Sequence, residues 1–223
     1  MQNDDHTEFL ALTKSRRDTY ALFARLLRQE VSPELLRRLR KMREGSHDPE
    51  AAGEGQILLD RYLSVTEPLE ENQVIAELAA DYAGLFLNAG SRPAYPYESV
   101  YTSPEQLLMQ EGRDNVRQIY AAAGLNRSGE CHEPEDHIAL EMEFMNHLCF
   151  RTTAAIGGGN LATVRAHLQS QREFLENHLL LWAPQFCQDL VRNATTDFYR
   201  ALGCLVRDFL ELERDLIAEW GAN

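Results

Sequence analysis

Apolar residues in this chain recur every three to four positions almost from end to end, and no run of alternating β-branched residues is long enough for a strand. That periodicity confines the chain to an all-α fold. With 223 residues and 44% hydrophobic content, one substantial core can be buried, which predicts a single globular helical domain over 1–223. A first helix is expected over about 7–30, with Phe9, Leu12, Tyr20, Phe23 and Leu27 facing inward. Ser32-Pro33 supplies an N-cap and a first-turn proline for a second helix to about Glu44. The small, polar stretch 44–55 reads as a surface loop, followed by helices over about 54–65 and 69–88. Asn88-Ala89-Gly90 suits a left-handed cap on the second of these.

Prolines and glycines punctuate the rest. Pro93 and Pro96, with Tyr95, Tyr97 and Tyr101, predict an extended connection over 91–102. Ser103-Pro104-Glu105-Gln106 then has the form of a capping box opening a helix through Ala123. A turn is expected over 124–131, and Pro134 is expected to open a helix to about Ala155. Gly157, Gly158 and Gly159 are too costly for a helix interior. They divide the expected fold into lobes 1–156 and 160–223 joined by a hinge at 157–159, with helices over about 160–180 and 195–220 and a shorter element at 184–193. A flexible hinge of this kind allows a domain-swapped dimer beside the monomer.

Several function classes are excluded early. No run of eighteen uncharged apolar residues exists, and the start, MQNDDHTEF, is acidic where a leader would be basic, so a soluble cytoplasmic protein without membrane insertion is expected. Cys131, Cys149, Cys187 and Cys204 lie far apart and read as free thiols. A net charge of -13 opposes nucleic acid and favours a basic peptide as partner. No phosphate loop, dinucleotide fingerprint or nucleophile elbow is present, and no organic cofactor or metal is expected.

Two clusters remain. The first is Glu133-Pro134-Glu135-Asp136-His137 with Glu141 beyond it. Acids in a first helical turn complement the helix dipole without any further role. His137 and Glu141, however, project onto the apolar stripe, where the i, i+4 spacing lets them pair, as a satisfied core or as the polar floor of a groove. The second is 93–101, whose tyrosines either pack on the core or grip an apolar peptide. A helical metal-dependent enzyme using Glu133, Asp136 and His137 is the alternative reading, although the nearest ligand pair, Glu143 and His147, is one residue too widely spaced for a di-iron site.

Tyr95-Pro96-Tyr97-Glu98-Ser99-Val100-Tyr101, followed by Glu133-Pro134-Glu135-Asp136-His137-Ile138-Ala139-Leu140-Glu141, resembles the two signature stretches of the TorD/DmsD redox-enzyme maturation chaperones. Leu107 to Tyr120, Phe174 through Trp182 and Phe198 through Phe209 resemble the intervening and C-terminal regions of that family. The resemblance implies an all-helical cytoplasmic chaperone, not an enzyme. Its partner would be the twin-arginine leader on the catalytic subunit of a molybdopterin oxidoreductase of the dimethyl-sulfoxide or trimethylamine-N-oxide reductase type. Export would be delayed during cofactor insertion. Carried over by position, the leader-binding residues are Tyr95, Pro96, Tyr97, Glu98, Ser99, Glu133, Asp136 and His137. Some relatives place tryptophan and glycine where Tyr97 and Glu98 stand.

Overall fold

The computed structural model describes residues 2–43, 52–90, 93–126 and 132–221. Most of the expected 44–55 loop, the start of the 91–102 connection and the end of the 124–131 turn with Cys131 lie outside them. The described fold is all-α, with an isolated backbone bridge between Tyr97 and His137 and, among the described residues, no strand. Its elements are α1 (Gln2–Arg28), α2 (Pro33–Arg43), α3 (Glu54–Thr66), α4 (Glu71–Phe86), α5 (Glu98–Thr102), α6 (Glu111–Ala122), α7 (Ile138–Gly157), α8 (Leu161–Phe174), a π-helical turn (Leu175–Leu179), α9 (Leu180–Asn193) and α10 (Asp197–Gly221).

Two compact units divide the chain. One comprises Met1–Arg28, Tyr97–Ala183 and Leu210–Asn223, the other Gln29–Pro96 and Pro184–Phe209. Residues 157–159 lie within the first unit, between α7 and α8. There they form a tight corner. Gly159, at φ +67°, donates to the Ile156 carbonyl at 3.0 Å, and Asn160 N–H donates to the Ala155 carbonyl at 3.1 Å. This pair of bonds is a Schellman closure of α7. Asn160 then caps α8 by accepting from Thr163 N–H at 3.1 Å.

The first unit is built on the long contact between α1 and α7. Tyr20, Phe23 and Leu27 are buried on α1 as expected, whereas Leu12 is exposed and Thr13 and Arg16 face inward instead. Arg16 is tolerated there because Glu213 accepts from its Nε and from an Nη, both at 2.6 Å, and Gln171 Oε1 accepts at 2.8 Å. Tyr20 donates to the same glutamate at 2.8 Å, and Gln171 donates to Thr152 at 2.8 Å. One charged group thus ties α1, α7, α8 and α10. Burial opposes the guanidinium charge, but the bonds and charge of Glu213 outweigh it and raise the pKa of Arg16.

In the second unit, Leu35 N–H bonds Ser32 Oγ at 3.3 Å, the expected cap of α2. Asn88 sits at φ +56° just past α4, as expected. Asp81 caps the start of α10, accepting from Thr195 and Thr196 N–H at 3.0 and 2.8 Å. Tyr82, Phe86, Phe186 and Tyr199 form an aromatic core beneath it. Cys187 and Cys204 in this unit, and Cys149 in the first, are buried free thiols.

Four local expectations fail. Residues 98–102 are helical rather than extended. Ser103 and Pro104 do not open a helix: Ser103 N–H closes α5 on Ser99 O at 3.1 Å, and α6 begins only at Glu111. Pro134 starts a turn, with α7 beginning at Ile138. The segment from α8 through the π-helical turn to α9 runs without a break, carrying Pro184 inside α9. For α5 and α6 the tertiary bonds from Ser99 to Asp136 and from Gln110 to Ser99 overrode the local signal.

Because Gly159 alone of the three glycines at 157–159 has a left-handed conformation, Gly159→Ala should lower stability by about 1 kcal/mol. Gly157, whose added Cβ would meet nothing within 4 Å, should tolerate alanine with a gain of about 0.5 kcal/mol. Chemical denaturation of the two variants checks this, and equal effects would refute the corner.

Candidate functional site

The two signature stretches are 37 residues apart in the chain at Ser99 and Asp136, and a clasp joins them. Glu98 N–H donates to the Asp136 carbonyl at 3.0 Å. Ser99 donates to Asp136 Oδ2 twice, through N–H at 2.9 Å and through Oγ at 2.5 Å. The residue preceding α5, Tyr97, offers no side-chain cap, so Asp136 supplies that cap from across the clasp. Ser99 Oγ in turn accepts from Gln110 N–H at 3.2 Å, which fixes the start of α6.

His137 completes the clasp. Its backbone is extended, its ring meets Tyr97 edge-on at 5.2 Å, and its Nδ1 accepts from Ala139 N–H at 3.0 Å. His137 is thus the N-cap of α7 and does not pair with Glu141, contrary to the i, i+4 expectation. The reason is positional: a capping residue lies outside the helix, so helical spacing does not apply to it. Glu141 instead accepts from Trp182 Nε1 at 3.2 Å and lies beside Glu98.

Glu98, Asp136 and Glu141 are all buried, with Glu98 Oε2 3.0 Å from His178 Nδ1. Burial, and then the charge of Glu98, hold the Glu141 carboxyl well above the usual range. A protonated Glu141 can donate its own hydrogen, which suits its Oε1, an atom with no donor nearby. Burial also raises Asp136, although the Ser99 bonds counter it, and its Oδ1 is left without a partner. Burial, with a smaller effect of the Arg28 charge, pushes His137 down to about 3. The imidazole is therefore neutral, as an acceptor at Nδ1 requires.

The expected site residues differ in access. Tyr97 and Glu133 are half-buried and joined by a 2.8 Å bond from the phenol to Glu133 Oε2. Glu98, Ser99, Asp136 and His137 are buried. Tyr95 is exposed and Pro96 buried, both in the second unit. Glu135 pairs with Arg113 at 2.7 Å rather than with a helix dipole. Glu133, Asp136 and His137 each bond a different protein partner, and among the described residues no group of three or more metal-ligating side chains occurs. His178 and Trp182 belong to the site although the spacing reading did not single them out. Their i, i+4 placement was visible, but Glu98 stands 80 residues from His178.

The pH behaviour follows with opposite signs. The folded value of His137 lies below its ordinary 6.5, so its stabilising contribution is full above that pH and is lost toward pH 3. The folded value of Glu141 lies above its ordinary 4.5, so its contribution is full below that pH and falls as pH rises toward the folded value. His137→Asn keeps a capping acceptor and should flatten the acid limb of the stability profile. Glu141→Gln mimics the protonated acid, and should flatten the opposite limb without lowering Tm at neutral pH. Thermal melts across the acid and neutral range check both, and a Tm lowered at neutral pH by Glu141→Gln would overturn the protonated assignment.

The sequence profile of the nitrate reductase delta subunit family matches residues 47–188. A chaperone protein TorD from Vibrio cholerae is 27% identical over 217 residues, covering 95% of this chain and 96% of that protein. Chaperone protein TorD from Aliivibrio fischeri is 26% identical over 95% of this chain and 98% of its own length. The same-named protein of Aliivibrio salmonicida is 30% identical over 72% of this chain and 75% of its own. Similar along most of its length to proteins of one name, and carrying the clasped signatures, the chain belongs to the nitrate reductase delta subunit family and, among its members, to the TorD chaperones.

Proposed function

We propose that this protein is a cytoplasmic, non-enzymatic chaperone that binds the twin-arginine leader of a molybdopterin oxidoreductase catalytic subunit, of the dimethyl-sulfoxide or trimethylamine-N-oxide reductase type. It assists cofactor insertion and delays export. The observation that carries the reading is the clasp between the signatures, which leaves Tyr97 and Glu133 accessible as an aromatic and acidic pair. A leader with two guanidinium groups and an apolar stretch matches both members of that pair. The net charge of -13 favours such a basic partner, and no described helix is long and apolar enough to cross a membrane.

Within this reading the carried-over residues have two roles. In the first unit, Tyr97 and Glu133 contact the leader, and Glu98, Ser99, Asp136 and His137 position them, because burial keeps those side chains from a peptide's reach.

Tyr97→Ala and Glu133→Gln should each weaken binding of a twin-arginine leader peptide by about 1 to 3 kcal/mol, the loss at Glu133 shrinking as salt rises. Asp136→Ala should chiefly lower Tm, since it leaves two Ser99 donors and the α5 cap unsatisfied. Calorimetric titration with the peptide, together with melting curves, separates the roles. No binding by the unaltered chain would sink the proposed function.

A further inference from the structure

The first unit contains a cleft of about 320 Å³ that the clasp borders through Glu98 alone among the signature residues. Glu98 and its partner His178 both line it. Gly112, in the first turn of α6, lies so close that an added Cβ would stand 3.1 Å from the Glu98 carboxylate. Glu105 and Glu111 line the cleft as exposed carboxylates, and the cleft wall includes no lysine or arginine among the described residues. The positive end of α6 contributes about half a charge here, which Glu111 in its first turn and Glu105 on the facing rim outweigh.

The cleft also has an apolar border. Leu181 lines it and is 62% exposed. Between the lining residues Glu105 and Gln110, the chain holds Leu107, Leu108 and Met109 in solvent, at 56%, 44% and 54% exposure. This is not slack chain. Gln106 and Met109 adopt left-handed conformations, at φ +53° and +63°, which non-glycine residues rarely take. Ser103 Oγ accepts from Leu107 N–H at 3.4 Å, and the Gln110 amide donates to the Leu108 carbonyl at 3.1 Å. Three successive apolar side chains held outward at local backbone cost mark a binding surface rather than a packing one.

We propose that this cleft takes one guanidinium group of an arginine-bearing leader, with residues 107–109 and Leu181 gripping the apolar stretch beside it. The assignment rests on the leader-binding reading above and adds a second subsite to Tyr97 and Glu133. Charge complementarity selects the occupant: an acidic cleft bordered by apolar side chains matches a segment in which basic and apolar residues are adjacent. The cleft volume lies at the lower end of the range for small-ligand sites and suits one extended side chain.

The probe is a synthetic peptide with two adjacent arginines followed by a leucine- and alanine-rich run. Leu107→Ser, Leu108→Ser and Met109→Ser combined should weaken its binding about tenfold or more. Glu105→Gln with Glu111→Gln should weaken it about threefold, an effect lost at high salt or when the arginines are replaced by glutamine. All five positions are exposed, so melting curves should match the unaltered chain. Unchanged peptide affinity in both variants overturns the proposal while leaving the leader reading intact. No binding by the unaltered chain overturns both. If the serine variant instead abolishes a dimer and leaves peptide affinity unchanged, residues 107–109 form a self-association face and the proposal fails.

Discussion

The bond network on Asp136 is the constraint from which the site is built. A helix of five residues such as α5 cannot repay its own nucleation cost, so α5 exists because something outside it satisfies its first N–H groups. Asp136 does so with one carboxylate oxygen and its own carbonyl. Ser99, held by that carboxylate, then accepts from Gln110 and sets the start of α6. The first turn of α6 brings Gly112 against Glu98, so the position of the acidic cleft traces back to the same residue.

Charge inside the first unit is handled in two contrasting ways. Arg16 and Glu213 are buried as a doubly bonded ion pair, with Gln171 accepting a further bond from Arg16 and Tyr20 donating to Glu213, while Arg16 Nη1 has no partner. Such a pair adds little net stability, yet loss of one partner costs about 3 to 5 kcal/mol, so it acts mainly to fix four helices in one arrangement. Glu141 has no cation, and its environment is resolved by a proton. Beside Glu98, burial favours the neutral acid, and Trp182 needs only an acceptor. Much of the acidity at the clasp is therefore structural, whereas Glu133 is half-buried and Glu105 and Glu111 are exposed.

How far the site was legible depended on the reach of each signal. The residues of both signatures are bonded to one another in the structure, and Ser99, Asp136 and His137 stand at the centre of that network. Their division into accessible and buried members was not legible, because exposure is a property of what packs over a residue. Glu141 was rightly expected to be buried, yet its partner was not His137, since α7 begins at Ile138, four residues after the proline that was expected to open it. His178 and Trp182 entered the site through partners 80 and 41 residues away, Glu98 and Glu141, a reach that local spacing does not cover.

The sequence by itself determined the helical class, the cap at Ser32, the left-handed exit at Asn88 and the stop after α7, because these depend on contacts within about four residues. Tertiary structure decided where α5, α6 and α7 begin. At Ser103 and Pro134 the local capping signals are sound but marginal, worth about 1 kcal/mol each. The competing tertiary bonds, from Ser99 to Asp136 and from Gln110 to Ser99, satisfy buried groups whose loss would cost more. Where a local preference and a buried donor disagree, the buried donor wins, and it can be identified only once the chain has folded around it.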